Sequence, residues 1–132
     1  MLTISHTAEV AVYHCLPLMP RWHWESRAHG HDVTITLELA VPEQEIGDED
    51  TTELRIAAGL LEEFDGPLYL KDVGSLVEPS EPRTDEQWLA RWVHEWTSAR
   101  LRSGLGDHLK VTVSFSNGNT KVHRGAAVEA AA

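Results

Sequence analysis

HDVTITLELAV, residues 31–41, is the clearest strand in the chain. Its β-branched residues are dense, and alternation gathers Val33, Ile35, Leu37 and Leu39 on one face. Residues 2–14, LTISHTAEVAVYH, carry the same period of two, with Val10, Val12 and His14 on one face. Between the two strands, Cys15 to Ala28 holds Pro17, Pro20, Trp22, His23 and Trp24 and reads as a long loop. Loops of this length in compact domains are often functional.

Downstream the pattern changes. Pro42 to Asp50, PEQEIGDED, reads as an acidic, solvated connector. Thr51 or Thr52 is placed to cap a helix running to about Phe64, with Leu54, Ala57, Ala58 and Leu61 on one stripe. Residues 65–83 are broken by Gly66, Pro67, Gly74, Pro79 and Pro82. A second helix is expected from Thr84, with Gln87 as its capping-box partner, to about Arg102. Strands follow at His108 to Phe115 and Thr120 to Val128, and Asn117-Gly118 between them is a hairpin signal. The order strand, strand, helix, helix, strand, strand predicts an α+β domain over residues 1–128. Its expected form is an antiparallel four-stranded sheet with both helices on one face. The closing AAVEAAA, including residues 129–132, reads as a frayed tail.

Composition narrows the partners. Among 132 residues, 21 are acidic and 11 basic, a formal charge of −10. Phosphate binding needs a clustered basic surface, and none is visible, so neither a nucleic acid nor an anionic membrane is expected as partner. Cys15 is the sole cysteine, so no internal disulfide forms, and its simplest role is a small buried or half-buried residue. No apolar run approaches a membrane span and the start has no leader pattern, which makes the cytoplasm the expected location.

Eight histidines and five tryptophans are unusual in so short a chain. In a strand, residues two apart share a face, so His29 and His31 can converge on one ion, with Gly30 leaving room for close approach. His14 ends the preceding strand, and an antiparallel return brings it opposite. Three neutral imidazoles with an open fourth position suit a catalytic zinc site. Spacing alone leaves the plainer reading open, two exposed histidines on a strand.

The stretch His14 to His31, HCLPLMPRWHWESRAHGH, resembles the zinc-binding segment of the 6-pyruvoyl-tetrahydropterin synthase and 6-carboxy-tetrahydropterin synthase family. His14 and Leu16 match its Ala-Ala-His-x-Leu element, and His29-Gly30-His31 its His-Gly-His element. Tyr69 to Val73 is similar to its Leu-Asn-Asp-Ile stretch, and Thr84 to Val93 (TDEQWLARWV) to its Pro-Thr-x-Glu-Asn-Leu-Ala-x-Trp-Ile helix. The resemblance spans nearly the whole chain. It implies the T-fold, zinc held by His14, His29 and His31, and a homo-oligomer, trimer or hexamer, with active sites between subunits.

Three departures bear on the chemistry. Where bacterial members carry the catalytic cysteine, four residues before the second zinc histidine, this chain has Glu25. A carboxylate with a pKa lifted by burial can move a proton there; the alternative is a solvated loop residue. The Asp-His pair of the family is reduced to Asp65, since Phe64-Asp65-Gly66-Pro67-Leu68 holds no histidine. His94 and His123 read as surface residues, and no motif brings either to the site. Finally, the pterin-anchoring glutamate of the third strand is replaced by Phe115 in Val113-Ser114-Phe115-Ser116. Losing a bidentate acceptor weakens pterin recognition, while Phe115 offers a ring to stack on or an apolar lining.

Trp88, Trp92 and Trp96 recur every four residues and read as a packing stripe. Trp22 and Trp24 either wall a pocket for substrate or pack plainly. The expected protein is thus a zinc-dependent lyase or cyclase for a small molecule other than the usual pterin, using Glu25 and Asp65. Two alternatives stand beside it: the family's own reaction on dihydroneopterin triphosphate, and a non-catalytic ligand-binding T-fold protein.

Overall fold

The computed structural model describes residues 2–14, 29–63, 66–68, 86–116 and 118–131; the side chains at 13, 14, 29–31, 43, 130 and 131 stay outside that description. Strands β1 (Leu2–His14) and β2 (His29–Val41) pair antiparallel along their full length, from Leu2 opposite Val41 to His14 opposite His29. β2 then pairs with β3 (Leu109–Phe115), and β3 with β4 (Thr120–Arg124), giving a four-stranded sheet in the order β1-β2-β3-β4. Helix α1 (Asp48–Glu62) packs on β1, and α2 (Glu86–Ser98) packs on β3 and β4. The expected α+β arrangement of strands and helices is therefore observed.

Alternation explains why the helices share one face. Ala8, Val10, Val12, Val33, Ile35, Leu37, Leu39, Leu109, Val111, Val113 and Phe115 are buried on the covered side. The intervening residues build a polar face of small hydroxyls. There Thr7 meets Thr36, Ser114 meets Thr120 at 2.9 Å, and Lys110 pairs with Glu38 at 3.1 Å. Burying one Val, Leu or Ile contributes about 1.5–3 kcal/mol, so a one-residue slip of β2 would forfeit several such contributions together. From the helices come Leu54, Ala57, Ala58 and Leu61, as the sequence predicts, and Trp88, Leu89, Ala90 and Val93. The tryptophan stripe also packs as expected. Trp88, Trp92 and Trp96 stack in series with centroids 6.5 and 6.2 Å apart, and the Arg100 guanidinium lies 4.1 Å from the Trp96 ring centre.

Several boundaries differ from the sequence reading. The last three residues of the acidic connector belong to α1, which begins at Asp48 rather than at Thr51 or Thr52. Asp48, Glu49 and Asp50 occupy its first turn, where negative charge complements the helix dipole. Asp50 does the capping: Gly47 N–H donates to its Oδ2 at 2.9 Å, while Thr51, now interior, returns its hydroxyl to the Gly47 carbonyl. Arg102 donates to the same carboxylate through Nε and Nη2, each at 3.3 Å, and to the Glu45 carbonyl at 2.8 Å. A charge from beyond α2 thus holds the start of α1, a link between residues far apart in sequence that periodicity does not encode. α2 ends at Ser98 rather than Arg102, and the expected cap Thr84 lies outside the described residues.

At the far end, β3 starts after a 3-10 turn (Leu105–His108), and β4 stops at Arg124 instead of continuing to Val128. Gly125 N–H bonds the Leu109 carbonyl at 2.9 Å, and a Cβ at Gly125 would collide with the carbonyls of Gly106 and Asp107. That close approach turns the chain out of the sheet. The presumed frayed tail then forms a short helix, α3 (Ala126–Ala131), against the 3-10 turn. Among the described residues no helix is long and apolar enough to cross a membrane.

Arg102 and Gly47 both favour the ionised form of Asp50, the Arg102 hydrogen bond most, and hold its pKa below the ordinary 3.8. A lowered carboxylate pKa gives stability that is present above the ordinary value and lost as pH falls through the folded one. Urea denaturation at neutral pH is expected to find Asp50→Ala destabilised by about 1–3 kcal/mol. Arg102→Ala is expected to cost less, since 57% of its side chain is exposed. The penalty of Asp50→Ala should shrink as the wild type is titrated into acid.

Candidate active site

The β1–β2 register is the element that builds the candidate site. His14 and His29 are direct partners, and His31 is opposite Val12. Positions 14, 29 and 31 therefore fall in the same alternation class as Val10, Val12 and Val33, the helix-covered class, at one end of the ladder. Directly opposed residues have Cβ atoms about 4.5–5.5 Å apart, which applies to the backbone partners 14 and 29. Histidine nitrogen is among the donor types that zinc takes.

One rung inward, Val10, Val33 and Phe115 form a row across three strands. Phe115 is diagonal to position 31 and only 3% exposed, joined to the main core. The end of β3 is fixed around it. Ser116 N–H donates to the Asp32 carbonyl, Phe115 N–H to the Asn119 carbonyl and Gly118 N–H to the Phe115 carbonyl, each at 2.9 Å. Gly118 sits at φ +92°, a conformation that glycine adopts without the steric penalty of a Cβ and that the Asn-Gly signal anticipates. Asn119 Nδ2 in turn donates to Glu86 Oε1 at 3.2 Å, clipping the hairpin to the start of α2. On the polar face at this end, Glu9, Ala11, Asp32 and Thr34 line an open cleft of about 420 Å³.

Glu25, Asp65, Trp22 and Trp24 lie outside the described residues, as does Cys15. Of the expected site, the register brings together the backbones of positions 14, 29 and 31 with Phe115. A second cleft, of about 610 Å³, lies at the opposite end of the sheet around Gly47, Asp50, Arg102 and His108.

His94 and His123 depart from expectation. His94 is buried, 9% exposed, on the inward stripe of α2 with Ala90, Val93 and Thr97. Its Nε2 is 3.2 Å from the Leu109 carbonyl and its Nδ1 3.4 Å from Ser98 Oγ. A carbonyl only accepts, so Nε2 carries the proton and Nδ1 takes the Ser98 hydroxyl. The His123 ring, half-buried on β4, meets His94 edge to face at 4.8 Å. The spacing Ala90, His94, Thr97, Leu101 follows an inward helical stripe and is the signal that sequence reading missed. Neither histidine is at the end of the sheet that carries positions 14, 29 and 31: His123 is opposite Val111, two rows beyond the Phe115 rung.

The class defined by this sheet and its helices is an α+β T-fold. Among solved structures, 6-pyruvoyl tetrahydropterin synthase of Caenorhabditis elegans is similar, with a TM-score of 0.66 and 13% identity over 94% of this chain and 95% of that chain. At this identity the likeness is one of fold. No protein-family model matches the sequence, and no curated protein does.

Phe115 is in the core, so restoring a carboxylate there should be costly. Phe115→Glu is expected to lower stability by at least about 3 kcal/mol, the cost of a buried charge without a partner. Phe115→Leu is expected to lose roughly 1–2 kcal/mol, as a milder volume change. Chemical denaturation of the two variants side by side measures the difference.

Proposed function

We propose that this chain is a zinc-dependent enzyme of the pterin-synthase type acting on a small molecule other than the standard pterin, by lyase or cyclase chemistry. The observation that carries the proposal is the β1–β2 register, which makes His14 and His29 direct partners with His31 two residues away, one rung from Phe115. The likeness of fold to a 6-pyruvoyl tetrahydropterin synthase supports the same reading.

His14, His29 and His31 hold the metal in this proposal. Bound zinc supplies Lewis-acid polarisation of a carbonyl or hydroxyl oxygen. Glu25 moves a proton at the neighbouring carbon, and Asp65 assists it through its charge. Trp22, Trp24 and Phe115 form apolar walls for the substrate, Phe115 from within the core at the end of β3. An apolar residue where a pterin needs an acceptor for its adjacent donors disfavours that ring by leaving them unpaired.

Among the described residues the sheet has β1 and β4 as its outer strands, each paired on one side. Association of copies through these edges into a trimer or hexamer, with sites at the subunit interfaces, is part of the proposal, as is a cytoplasmic location. Light scattering coupled to size exclusion is expected to give a multiple of the 14.7 kDa chain mass.

Metal analysis of the purified protein is expected to find about one zinc per chain, with His29→Ala losing it. A metal-free protein with an intact fold overturns the proposal, and a His29→Ala that loses only thermal stability favours a non-catalytic protein. Dihydroneopterin triphosphate is the first substrate to test, and efficient turnover favours the family's own reaction. Once a turnover assay is in hand, Glu25→Gln should keep zinc while losing about 10²–10⁴-fold in rate.

A further inference from the structure

The pair His94–His123 lies away from the proposed metal site and has no part in its chemistry. His94 links three segments. Its Nε2–H donates to the Leu109 carbonyl at the start of β3, the same oxygen that accepts Gly125 N–H at the end of β4. Its Nδ1 receives the Ser98 hydroxyl at the end of α2. A Cβ on Gly106 would strike that Ser98 side chain, so the 3-10 turn is packed directly on the same spot. Both lone pairs of the Leu109 oxygen are used, and both ring nitrogens of His94 are satisfied only when the ring is neutral or its hydroxyl partner turns round.

The neighbours do not favour a second charge. On the elements packed against α2, the titratable and charged groups are Lys110 on β3, Lys121, His123 and Arg124 on β4, and Asp107 and His108 on the 3-10 turn. α2 itself adds Glu86, at its far end, Arg91 and Glu95. Lys110 is paired with Glu38 on the opposite face. β4 thus presents only basic or ionisable-basic groups. Burial, and then the nearby His123, push the His94 pKa down, against smaller opposing effects of the Leu109 and Gly106 backbone and of Glu95.

We propose that the His94–His123 pair is an acid-released clasp fastening the edge strand β4 and helix α3 to α2. With His94 uncharged the two rings pack edge to face and the clasp is closed. In acid a proton on His94 places charge on a buried ring whose neighbour, 4.8 Å away between ring centres, is itself a base, and the contact opens. A histidine pKa lowered by folding gives stability that is complete above the ordinary 6.5 and is lost as pH falls below it. The charge sits where it strains the contact of the shortest strand, so the loss is concentrated in residues 120–131.

Hydrogen-exchange mass spectrometry between pH 7.5 and 5.5, corrected for the intrinsic pH dependence of exchange, tests this on the full chain. Expected is a several-fold rise in the opening constant of residues 120–131 at the lower pH, with β1 and β2 unchanged. His123→Gln should remove most of that rise while leaving protection at pH 7.5 intact. His94→Gln is the less secure variant, because its site is buried. For that reason the His94 ring is also titrated by NMR in the wild type, where its midpoint should fall below 6.5 and move upward in His123→Gln. Equal protection of residues 120–131 at both pH values, or an acid response that persists unchanged in His123→Gln, overturns the proposal.

Discussion

The antiparallel pairing of β1 with β2 is the constraint on which everything else rests. It is continuous from one strand end to the other, and its pleat sorts every residue of both strands to the helix-covered side or the polar side. Because side chains alternate strictly, moving the pairing by one residue would exchange the two sides. The core residues Val10, Val12, Val33, Ile35 and Leu37 fix the register energetically. Positions 14, 29 and 31 inherit their alignment from that hydrophobic choice. A candidate metal centre can in this way be aligned by residues that never touch it.

The sheet was more legible in the sequence than the helices' attachments. Val33, Ile35, Leu37 and Leu39 announce their strand by period alone, and Asn117-Gly118 announces the hairpin before β4. The start of α1 was misplaced because Asp50 looks like solvated charge until Arg102, far along the chain, is brought beside it. His94 was misplaced because an imidazole counts as polar in a pattern scan, although its two nitrogens find partners in the interior. Of the candidate site, the strands that carry positions 14, 29, 31 and 115 were legible, since alternation marks each of them. Glu25, Asp65, Trp22 and Trp24 belong to stretches rich in proline, glycine and polar residues, where no periodicity fixes a conformation. Their roles rest on resemblance to the pterin synthases.

Charge is used in two ways at the end of the sheet away from positions 14, 29 and 31. Asp50 and Arg102 form a mixed pair that closes a helix start against a turn. Near the β3–β4 hairpin base, two imidazoles face each other without a carboxylate between them. An ion pair loses strength when its acid is protonated, and a histidine pair when its bases are. Both arrangements therefore weaken in the same direction as pH falls.

The pairing of β1 with β2 also bears on how the chain folds. Positions 14, 29 and 31 are close in sequence, so aligning them requires closing only the stretch 15–28. Phe115 reaches Val33 only after the entire helical half of the chain has been spanned. Loop-closure entropy therefore falls mainly on the aromatic rung and little on the histidines. In contact-order terms positions 14, 29 and 31 are local and their hydrophobic neighbour is remote, so the β1–β2 pair can take its register before β3 arrives to cover it.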